Sequence, residues 1–456
     1  MKTTTYLFTD VRGFLMQGKR TLGESHGTSL PPVNLSGGLV PGMQDDEGSE
    51  LVLIPDRSTD MADPLGGEHD RLVFTQPVQP GEAVGSYAKD VRGTCQRCRD
   101  RLIKSGIADE AMVGIEMEFS LLDGIRFHTA PDRNFVELKE RDGWPNNADE
   151  FTNGYRIGHR SLHFLPSPHD HHVKVRDEIC SVLRKVGIAP VHHGHEAGPS
   201  QQEIATAPRS LVSAADAVQL QKHIIRNVAA MHHLSATFMP RPMAYAEGNG
   251  MHVNLSLWRQ GRNIFHQDGG DPGELSAQGL SFIAGVLRHV QALNAITNPT
   301  INSYRRLNHF YSPMRPAGWG HRNRTTAIRV PYHAGEADCR IEIRFPDASS
   351  NPYLALSGLI CAGLDGIERG LQPPPQEHGE PKWYEQPFHA IKAADNAMAP
   401  DLRCALIALE KDKEFLTRST VFDDRLLEAL IQDGSFFWHW AATTPAPLDF
   451  QVFYGH

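Results

Sequence analysis

The chain has 456 residues, of which 40% are hydrophobic and 22% are charged, and its formal net charge at pH 7 is −9. This mild acidity argues against sequence-independent binding of nucleic acid, which needs a basic surface. No apolar run approaches the roughly 18 residues that a membrane-crossing helix needs, and the first residues lack the apolar core of a secretory signal. We therefore expect a globular protein that partners with neither nucleic acid nor membrane.

Six cysteines in a chain of this length do not predict a disulfide framework. Cys95 and Cys98 form a single CxxC pair inside a predicted helix, and no second pair completes a zinc site. We interpret them as reduced structural thiols. A cytoplasmic location is therefore expected.

The predicted elements fall into two domains. Residues 1–88 are expected to form a small strand-rich domain, with strands at 6–8 and 51–54 and a Gly/Pro-rich loop between them. A helix is expected over residues 90–105, with Gly106 as its stop signal. Residues 89–456 are predicted to form one large α+β domain. Its further helices are expected at residues 174–185, 214–231, 280–295, 351–371 and 401–415.

Three short segments, residues 113–119, 251–257 and 340–345, alternate apolar and polar side chains in the period of a β-strand. Side chains two apart on a strand share a face. Any one segment alone is better interpreted as a half-exposed strand with surface ion pairs. The three together favour a sheet whose polar face forms the floor of a binding site. Such a floor suits divalent cations with phosphate and carboxylate ligands. Its polar face would carry Glu116, Glu118, His252, Asn254, Ser256, Arg340, Glu342 and Arg344.

Two further acidic candidates, Glu196 and Glu203, flank a Gly-Pro-Ser break. Their odd spacing would place them on opposite faces of one continuous strand. A loop between two strands is the better interpretation, because it can bring both carboxylates to one point. Mg²⁺ and Mn²⁺ are held by a few carboxylates and completed by water and substrate phosphates. Five glutamates and one histidine are enough for two such ions.

With these motifs the chain resembles the glutamine synthetase family (type I-like) over nearly its whole length. The order and spacing of the family's motifs are retained, and within the family the chain resembles divergent γ-glutamyl-amine and polyamine ligases. The matching segments are GIEMEF (114–119), HEAGPSQQEI (195–204), ATFMPRPM (236–243), GNGMHVNLSLW (248–258), NSYRRL (302–307), NRTTAIRVP (323–331), RIEIRFPDASSNPYLA (340–355) and TPAPLDFQVFYGH (444–456).

The resemblance implies a fold, an assembly and two metal sites. The fold would be an N-terminal β-grasp domain followed by a catalytic antiparallel sheet with helices. The assembly would be a homododecamer of two stacked hexameric rings, with each active site shared by neighbouring subunits. One metal ion would lie at Glu118, Glu196 and Glu203, and a second at Glu116, His252 and Glu342.

The resemblance also implies contacts to substrate and nucleotide. Arg306 would hold the α-carboxylate of glutamate, and Arg344 its γ-carboxylate during phosphorylation. The implied substrate-binding set is Glu118, Glu247, Gly248, Arg306 and Arg344. The implied ATP-binding set is Asn254, Ser256, Arg324, Arg329 and Arg340. The implied catalytic set is Arg324, Arg344, His163 and Ser312.

The chain departs from the family where other members hold ammonium. The positions of an Asp, a Tyr and a flap Glu are here Pro32, His163 and Ser312. Since ammonium is a cation, a pocket that lacks two carboxylates is poorly suited to attract and deprotonate it. It better suits a larger amine or one neutral at pH 7. His163 is then a candidate base, or equally a wall residue that only donates hydrogen bonds.

Two alternatives remain open, one for the charge of the acceptor pocket and one for the identity of the donor substrate. Asp45, Asp46 and Glu47 of the nearby loop are another source of negative charge for an ammonium site. Glu247 replaces the usual Asn before Gly248, which points either to an α-ammonium partner or to a modified glutamate. With Arg306 and Arg344 both present, unmodified glutamate is the better interpretation.

These observations together predict an ATP- and Mg²⁺/Mn²⁺-dependent ligase. It would activate glutamate as γ-glutamyl phosphate and couple it to a small amine other than ammonium. The first alternative is an authentic glutamine synthetase that uses ammonium. The second is a non-catalytic family member with a structural or regulatory role.

Overall fold

A computed structural model describes residues 2–22, 30–43, 50–130, 132–141, 155, 163–244, 246–271, 273–308, 317–378, 397–444 and 446. The strands are β1 Lys2–Thr9, β2 Leu15–Leu22, β3 Val33–Ser36, β4 Glu50–Pro55, β5 Met61–Ala62, β6 Arg71–Val78, β7 Glu110–Leu122, β8 Gly124–Ala130, β9 Arg133–Lys139, β10 Pro190–His195, β11 Gln201–Thr206, β12 Arg209–Ser210, β13 Ser235–Thr237, β14 Met251–Arg259, β15 Arg262–Asn263, β16 Trp319–His321, β17 Ile328–Val330 and β18 Ile341–Ile343. The helices are α1 Val91–Ser105, α2 Val173–Lys185, α3 Leu211–Met231, α4 Ala277–Arg288, α5 Val290–Thr297, α6 Ile301–Leu307, α7 Pro352–Glu368, α8 Leu402–Lys411, α9 Glu414–Thr417 and α10 Asp424–Thr443. The α+β class is confirmed.

The N-terminal part forms a six-stranded sheet in the order β2-β1-β6-β4-β3, with β5 paired to β6. Strand β1 runs parallel to β6 and antiparallel to β2. The predicted strands at 6–8 and 51–54 lie within β1 and β4 and are confirmed. The buried side chains of this sheet join those of α1 and the larger sheet in one continuous hydrophobic core. The domain boundary at residue 88 stays a prediction.

The larger sheet has ten strands and supplies the floor of the site. Its main order is β10-β11-β7-β14-β18-β17-β16, with β12 and β13 on β7 and β15 on β14. Strand β7 lies between β11 and β14 and pairs antiparallel with both. Its apolar side chains, such as Met117 and Phe119, are fully buried. The opposite face of β7 is therefore left for polar side chains.

Most predicted helices are present, and their caps explain their limits. The side chain of Asp90 accepts a hydrogen bond from the backbone N–H of Gly93 at the start of α1. Gly106 ends α1 with φ 69°, a left-handed conformation that favours glycine. The helices predicted from residues 174, 214 and 351 correspond to α2, α3 and α7.

The prediction of one helix over residues 280–295 is wrong, because α4 and α5 meet at a break. His289 lies at the break with φ −98° and ψ 9°. Its Nε2 lies 3.1 Å from an Asp365 carboxylate oxygen and its Nδ1 lies 2.7 Å from one of Asp412. These carboxylates hold the imidazole between two distant segments. The helix predicted over 401–415 is likewise two helices, since α8 ends at Lys411 and α9 begins at Glu414.

A buried ion pair ties α1 to α3 and to the N-terminal sheet. The Arg92 guanidinium donates two hydrogen bonds of 2.9 Å to the carboxylate of Asp216. It also lies 2.9 Å from Asp56, which follows β4. The hydroxyl of Tyr353 on α7 donates to Asp216 at 2.6 Å. Four segments thus meet at one charged centre.

We expect Asp216→Ala to lower the free energy of unfolding by about 3–5 kcal/mol, because it leaves the Arg92 guanidinium buried without its main partner. Tyr353→Phe removes one hydrogen bond to a charged group and should cost about 2 kcal/mol. Urea unfolding followed by circular dichroism measures both. A smaller loss for Asp216→Ala than for Tyr353→Phe would contradict this account of the ion pair.

Candidate active site

Strand register brings the predicted metal ligands together. His252 on β14 lies directly opposite Glu116 on β7, and Glu203 on β11 lies opposite Glu118 on β7. Residues directly opposite in an antiparallel pair point to the same face of the sheet. The polar faces predicted for residues 113–119 and 251–257 are therefore one continuous face. On the other side of β14, Asn254 pairs with Glu342 of β18.

The ligand atoms on this face form two groups that share one imidazole. Ligand atoms of Glu116, His252 and Glu342 lie within 4.8 Å of one another, as do those of Glu118, Glu203 and His252. The His252 Nδ1 lies 3.3 Å from a Glu116 oxygen and 3.6 Å from a Glu342 oxygen. Its Nε2 lies 3.8 Å from a Glu118 oxygen. The first group is the set predicted for the second metal.

The other group contains Glu118 and Glu203 of the predicted first set together with His252, and it does not include Glu196. The predicted set of Glu118, Glu196 and Glu203 stays a prediction. Glu196 is at the end of β10, and its carboxylate accepts a hydrogen bond from the N–H of Ala197 at 3.1 Å. Its second oxygen lies 3.7 Å from the Nε2 of His163. The predicted loop between two strands is present, since residues 196–200 join β10 to β11. Glu196 borders the group and faces His163.

The pKa values show how crowded the carboxylates are. Burial and the neighbouring Glu118, Glu196, Glu116 and Glu342 raise the pKa of Glu203 to about 9. Burial and Glu118 raise the pKa of Glu196 to about 7. Both shifts arise because buried negative charges repel one another. A bound cation would relieve this repulsion.

In the group of Glu116, His252 and Glu342, nearby positive charge already balances the carboxylates. Burial opposes the ionisation of Glu116, but hydrogen bonds from His252 and Asn254 outweigh it and lower the pKa of Glu116 to about 2. Burial also opposes the ionisation of Glu342, yet Arg344 and His252 lower its pKa. Carboxylates that stay charged with one imidazole are the donors that Mg²⁺ and Mn²⁺ accept. The residues present therefore fit divalent ions.

Two arginines hold opposite oxygens of Glu342. Arg344 Nη1 donates to one carboxylate oxygen and Arg329 Nη1 to the other. The Nε–H groups of both arginines are buried and have no hydrogen-bond partner among the described residues. A guanidinium presents its donors in a planar fork that matches phosphate and carboxylate oxygens. Each arginine thus keeps a donor for an anionic ligand.

The other predicted ATP contacts lie along β14 and its neighbours. Arg340 Nε donates to the Asn254 side-chain oxygen at 2.9 Å, and Asn254 Nδ2 donates to Glu116 at 2.8 Å. A chain of hydrogen bonds thus links Arg340 to Glu116, one of the predicted metal ligands. The Ser256 hydroxyl accepts a hydrogen bond of 2.9 Å from the Trp258 indole N–H.

The segment before β14 brings Glu118 and Arg306 close together. The N–H of Gly250 donates to a Glu118 oxygen at 2.6 Å. A Cβ at Gly248 would lie 2.3 Å from the carbonyl oxygen of Pro240 and 2.9 Å from the Arg306 Cγ. Only glycine fits there without displacing the backbone or Arg306. The family motif at residues 248–250 therefore has a steric cause in this chain.

Arg306 on α6 is buried, and its guanidinium is held by backbone carbonyls. Nη1 donates to the carbonyl of Phe345 at 2.9 Å and to that of Pro346 at 3.3 Å, while Nη2 donates to the carbonyl of Arg344 at 3.1 Å. These bonds connect Arg306 to the segment that follows β18. The predicted contact to an α-carboxylate would use the donors that remain.

Sequence reasoning missed Gln201, which orders the Glu118 side of the site. Its Nε2 donates to Glu118 at 3.3 Å and to the carbonyl of Gly248 at 3.1 Å, and its Oε1 accepts from the N–H of Gly198 at 2.9 Å. Gln201 lies within the HEAGPSQQEI segment (195–204). No sequence signal distinguishes it from Gln202 beside it, because the contact depends on how the loop turns.

His163 lies at the edge of the carboxylate cluster, where its Nε2 is 3.7 Å from Glu196. Burial and the nearby Arg324, His195 and His192 lower the pKa of its imidazole. Its ring stacks on that of Phe164 with a centroid separation of 3.8 Å. The imidazole is therefore neutral at pH 7 and capable of accepting a proton.

Other predicted features of the acceptor pocket are only partly visible. Pro32 is exposed beside β3, where its carbonyl accepts a hydrogen bond from Arg20 at 3.2 Å. Ser312, the acidic residues 45–47 and most of the C-terminal motif lie outside the described residues. Glu247 is half-buried beside Gly248.

Comparison with known proteins assigns the chain to one family. The family model "Glutamine synthetase, catalytic domain" matches residues 88–452. Glutamine synthetase of Salmonella typhimurium is 36% identical over 410 residues, which are 89% of this chain and 86% of that protein. The 3-hydroxylaminophenol mutase of Cupriavidus pinatubonensis is also 36% identical, over 92% of this chain and 88% of its own length.

A solved structure supports the same assignment. Ligand-free apo GmaS superimposes with a TM-score of 0.79 and 25% identity, covering 99% of this chain and 96% of that one. Two of these three relatives carry names other than glutamine synthetase, which fits a divergent member of the family.

The affinity for Mg²⁺ is expected to rise with pH between pH 6 and pH 9. Below their pKa values of about 7 and about 9, Glu196 and Glu203 hold protons that the metal must displace. Isothermal titration calorimetry at several pH values, in buffers of different ionisation enthalpy, measures the affinity and the protons released. Glu203→Gln should abolish the rise between pH 7 and pH 9. An affinity that is constant across this range would contradict the charge crowding.

Gly248→Ala is expected to reduce kcat/KM by about 10²-fold, because the added methyl group displaces Arg306 and the Pro240 backbone. Steady-state kinetics with varied glutamate measures the loss. Gly335→Ala is the matched control, since a Cβ there would meet no atom within 4 Å. Equal activity of the two variants would show that the close packing at Gly248 has no functional role.

Proposed function

Because the chain belongs to the glutamine synthetase family, we propose that it is an ATP-dependent ligase that joins glutamate to an amine other than ammonium. Glutamate is first activated as γ-glutamyl phosphate, and the amine then displaces the phosphate to form a γ-glutamylamide. The observation that carries the choice of amine is His163, a neutral imidazole that lies 3.7 Å from Glu196 at the edge of the carboxylate cluster.

Activation is needed because a carboxylate is a poor electrophile. Expelling oxide from it is prohibitive, whereas phosphorylation supplies a leaving group. Two Mg²⁺ or Mn²⁺ ions, held by Glu116, His252 and Glu342 and by Glu118 and Glu203 with Glu196 beside them, would neutralise charge on the transferring phosphoryl group. These residues are the proposed metal ligands.

The arginines around the cluster are the proposed phosphate and carboxylate contacts. Arg344 and Arg329 are fixed by Glu342 through Nη1 and retain their Nε–H donors. Donors that are already oriented stabilise developing charge without reorganisation. Arg344 is proposed to hold the γ-carboxylate, and Arg329, Arg324 and Arg340 the phosphates and nucleotide.

The remaining substrate contacts follow the family motifs. Arg306 is proposed to bind the α-carboxylate of glutamate through the donors that its backbone bonds leave. Glu247, Gly248 and Glu118 would contact the amino group and backbone of glutamate. Asn254 and Ser256 are proposed to face the nucleotide.

The acceptor step requires a base that removes a proton from the attacking amine. His163 is proposed for this role, because its lowered pKa keeps it neutral at pH 7. Organic amines with low pKa values, such as anilines, hydroxylamines and hydrazines, reach the site without the charge that ammonium carries. Ser312 is proposed to line the same pocket.

Assembly and location are part of the proposal. A homododecamer of two hexameric rings, in the cytoplasm, would place the N-terminal domain of one subunit beside the active site of the next. The six cysteines are free thiols, which agrees with a reducing compartment. No helix among the described residues is long and apolar enough to cross a bilayer.

An authentic glutamine synthetase is the second candidate, and the 36% identity to the Salmonella typhimurium enzyme favours it. A mutase of equal identity shows that relatives carry other activities as well. Dependence on both ATP and glutamate separates a ligase from a mutase. Choice of the amine then separates the two ligases.

The purified full chain is expected to release phosphate from ATP only when glutamate and an organic amine are both present. A coupled assay with a panel of aliphatic amines, anilines and hydroxylamines, beside ammonium, measures kcat/KM for each acceptor. At least one organic amine should exceed ammonium. Efficient turnover with ammonium above every other amine would identify a glutamine synthetase instead. Absence of glutamate-dependent hydrolysis with every acceptor would overturn the ligase itself.

His163→Gln is expected to lower kcat with the preferred amine by about 10²-fold, because the pocket loses its base. The KM for ATP should not change. His232→Gln is the matched control, since His232 also faces a carboxylate, that of Glu178 at 2.7 Å, but on the surface. If both variants kept wild-type kcat, His163 would be only a wall residue.

A further inference from the structure

A second group of metal-ligand side chains lies apart from the carboxylate cluster. It consists of His266, His333 and Cys339, and one ligand atom of each lies within 4.8 Å of the others. His266 follows β15, and the other two lie in the segment between β17 and β18. His333 and Cys339 are buried. Two imidazoles and one thiol form a donor set unlike the carboxylates of the active site.

Each imidazole of this group has one buried ring nitrogen that is available to a ligand. Among the described residues, neither Nδ1 of His266 nor Nε2 of His333 has a hydrogen-bond partner, although both atoms are buried. His333 bonds the backbone of Gly273 through its other nitrogen. The Nε2 of His266 faces Asp268, whose Oδ1 lies 3.7 Å away. The hydrogen bond of His333 to the backbone favours the tautomer in which its Nε2 presents a lone pair.

The backbone around the three ligands is held independently of any ion. Asn263 Nδ2 donates to the carbonyl of Cys339 at 2.7 Å and to that of Glu336 at 3.0 Å. The carbonyl of Asn263 accepts from the N–H of His266 at 3.1 Å, and its side-chain oxygen accepts from Phe265 at 3.0 Å. One buried asparagine thus positions both sides of the group. A site that is built before the ion arrives needs little rearrangement to bind it.

We propose that His266, His333 and Cys339 bind one Zn²⁺ ion, through the two ring nitrogens and the thiolate. Zinc accepts nitrogen and sulfur ligands in a tetrahedral arrangement, and a water molecule would complete the fourth position. Mg²⁺ and Mn²⁺ prefer oxygen and do not compete for a thiolate. The chain would therefore hold two classes of metal at two separate sites.

The ion would connect the segment that precedes Arg340, a proposed nucleotide contact, to the segment that follows β15. Cys339 directly precedes Arg340, whose Nε donates to Asn254 in the active site. His266 follows the β14–β15 hairpin, which lies at the same end of β14 as the start of β18. Binding would tie these two segments together beside the proposed nucleotide site. The ion would act on protein structure and not on the reacting atoms.

Cobalt substitution tests the proposal without relying on activity. The full chain is stripped with EDTA, returned to excess Mg²⁺ and titrated with Co²⁺. We expect a thiolate-to-cobalt charge-transfer band that saturates at one ion per chain and disappears when Zn²⁺ is added. The carboxylate cluster has no thiol and cannot produce this band. Absence of the band in the wild-type protein overturns the proposal.

Variants assign the band to particular residues. Cys339→Ser should lose it, while Cys404→Ser, which removes the only cysteine that is not buried, should keep it at full intensity. Should Cys339→Ser fail to fold, as circular dichroism would show, His266→Ala on the less buried side of the group should fold and lose the bound Zn²⁺ measured by mass spectrometry. A band that survives Cys339→Ser, or Zn²⁺ that survives His266→Ala at one per chain, would contradict the site.

Discussion

The structure depends on the register of strand β7 with its two neighbours. The pairs Glu116–His252 and Glu118–Glu203 lie directly opposite each other across these strands. A shift of one residue would turn every one of these side chains to the other face. The apolar residues between them are fully buried and hold the register in place. The same packing that stabilises the sheet therefore forces negative charges together on its open face.

This crowding gives the site its chemistry. Glu203 and Glu196 have raised pKa values because their neighbours are also acidic, whereas Glu342 is held ionised by Arg344 and His252 despite its burial. Glu203 and Glu196 thus have too little positive charge beside them, whereas the charge of Glu342 is balanced by its neighbours. Divalent ions and a polyphosphate substrate complement such a surface. Arg329 and Arg344, whose Nε–H groups have no hydrogen-bond partner among the described residues, would complete the arrangement around the proposed position of phosphoryl transfer.

The sequence predicted what local periodicity and short motifs encode. Alternation along residues 113–119 and 251–257 predicted polar side chains that the structure places on one face, and Asp90 and Gly106 marked a helix correctly. The break at His289 was missed, because it depends on Asp365 and Asp412, which are distant in sequence. The position of Glu196 beside the group of Glu118, Glu203 and His252 could not be predicted either, since a loop decides where Glu196 points. His266, His333 and Cys339 have no motif spacing, and only the folded hairpin and loop bring them together.

The most direct measurement of the central claim is a crystal structure of the full chain with Mn²⁺ and a non-hydrolysable ATP analogue, recorded with anomalous scattering from manganese. Two anomalous peaks are expected on the open face of β7. One should lie among Glu116, His252 and Glu342, and the other beside Glu118 and Glu203. Manganese bound elsewhere, or a carboxylate face that remains without ions in the presence of the nucleotide, would contradict this claim.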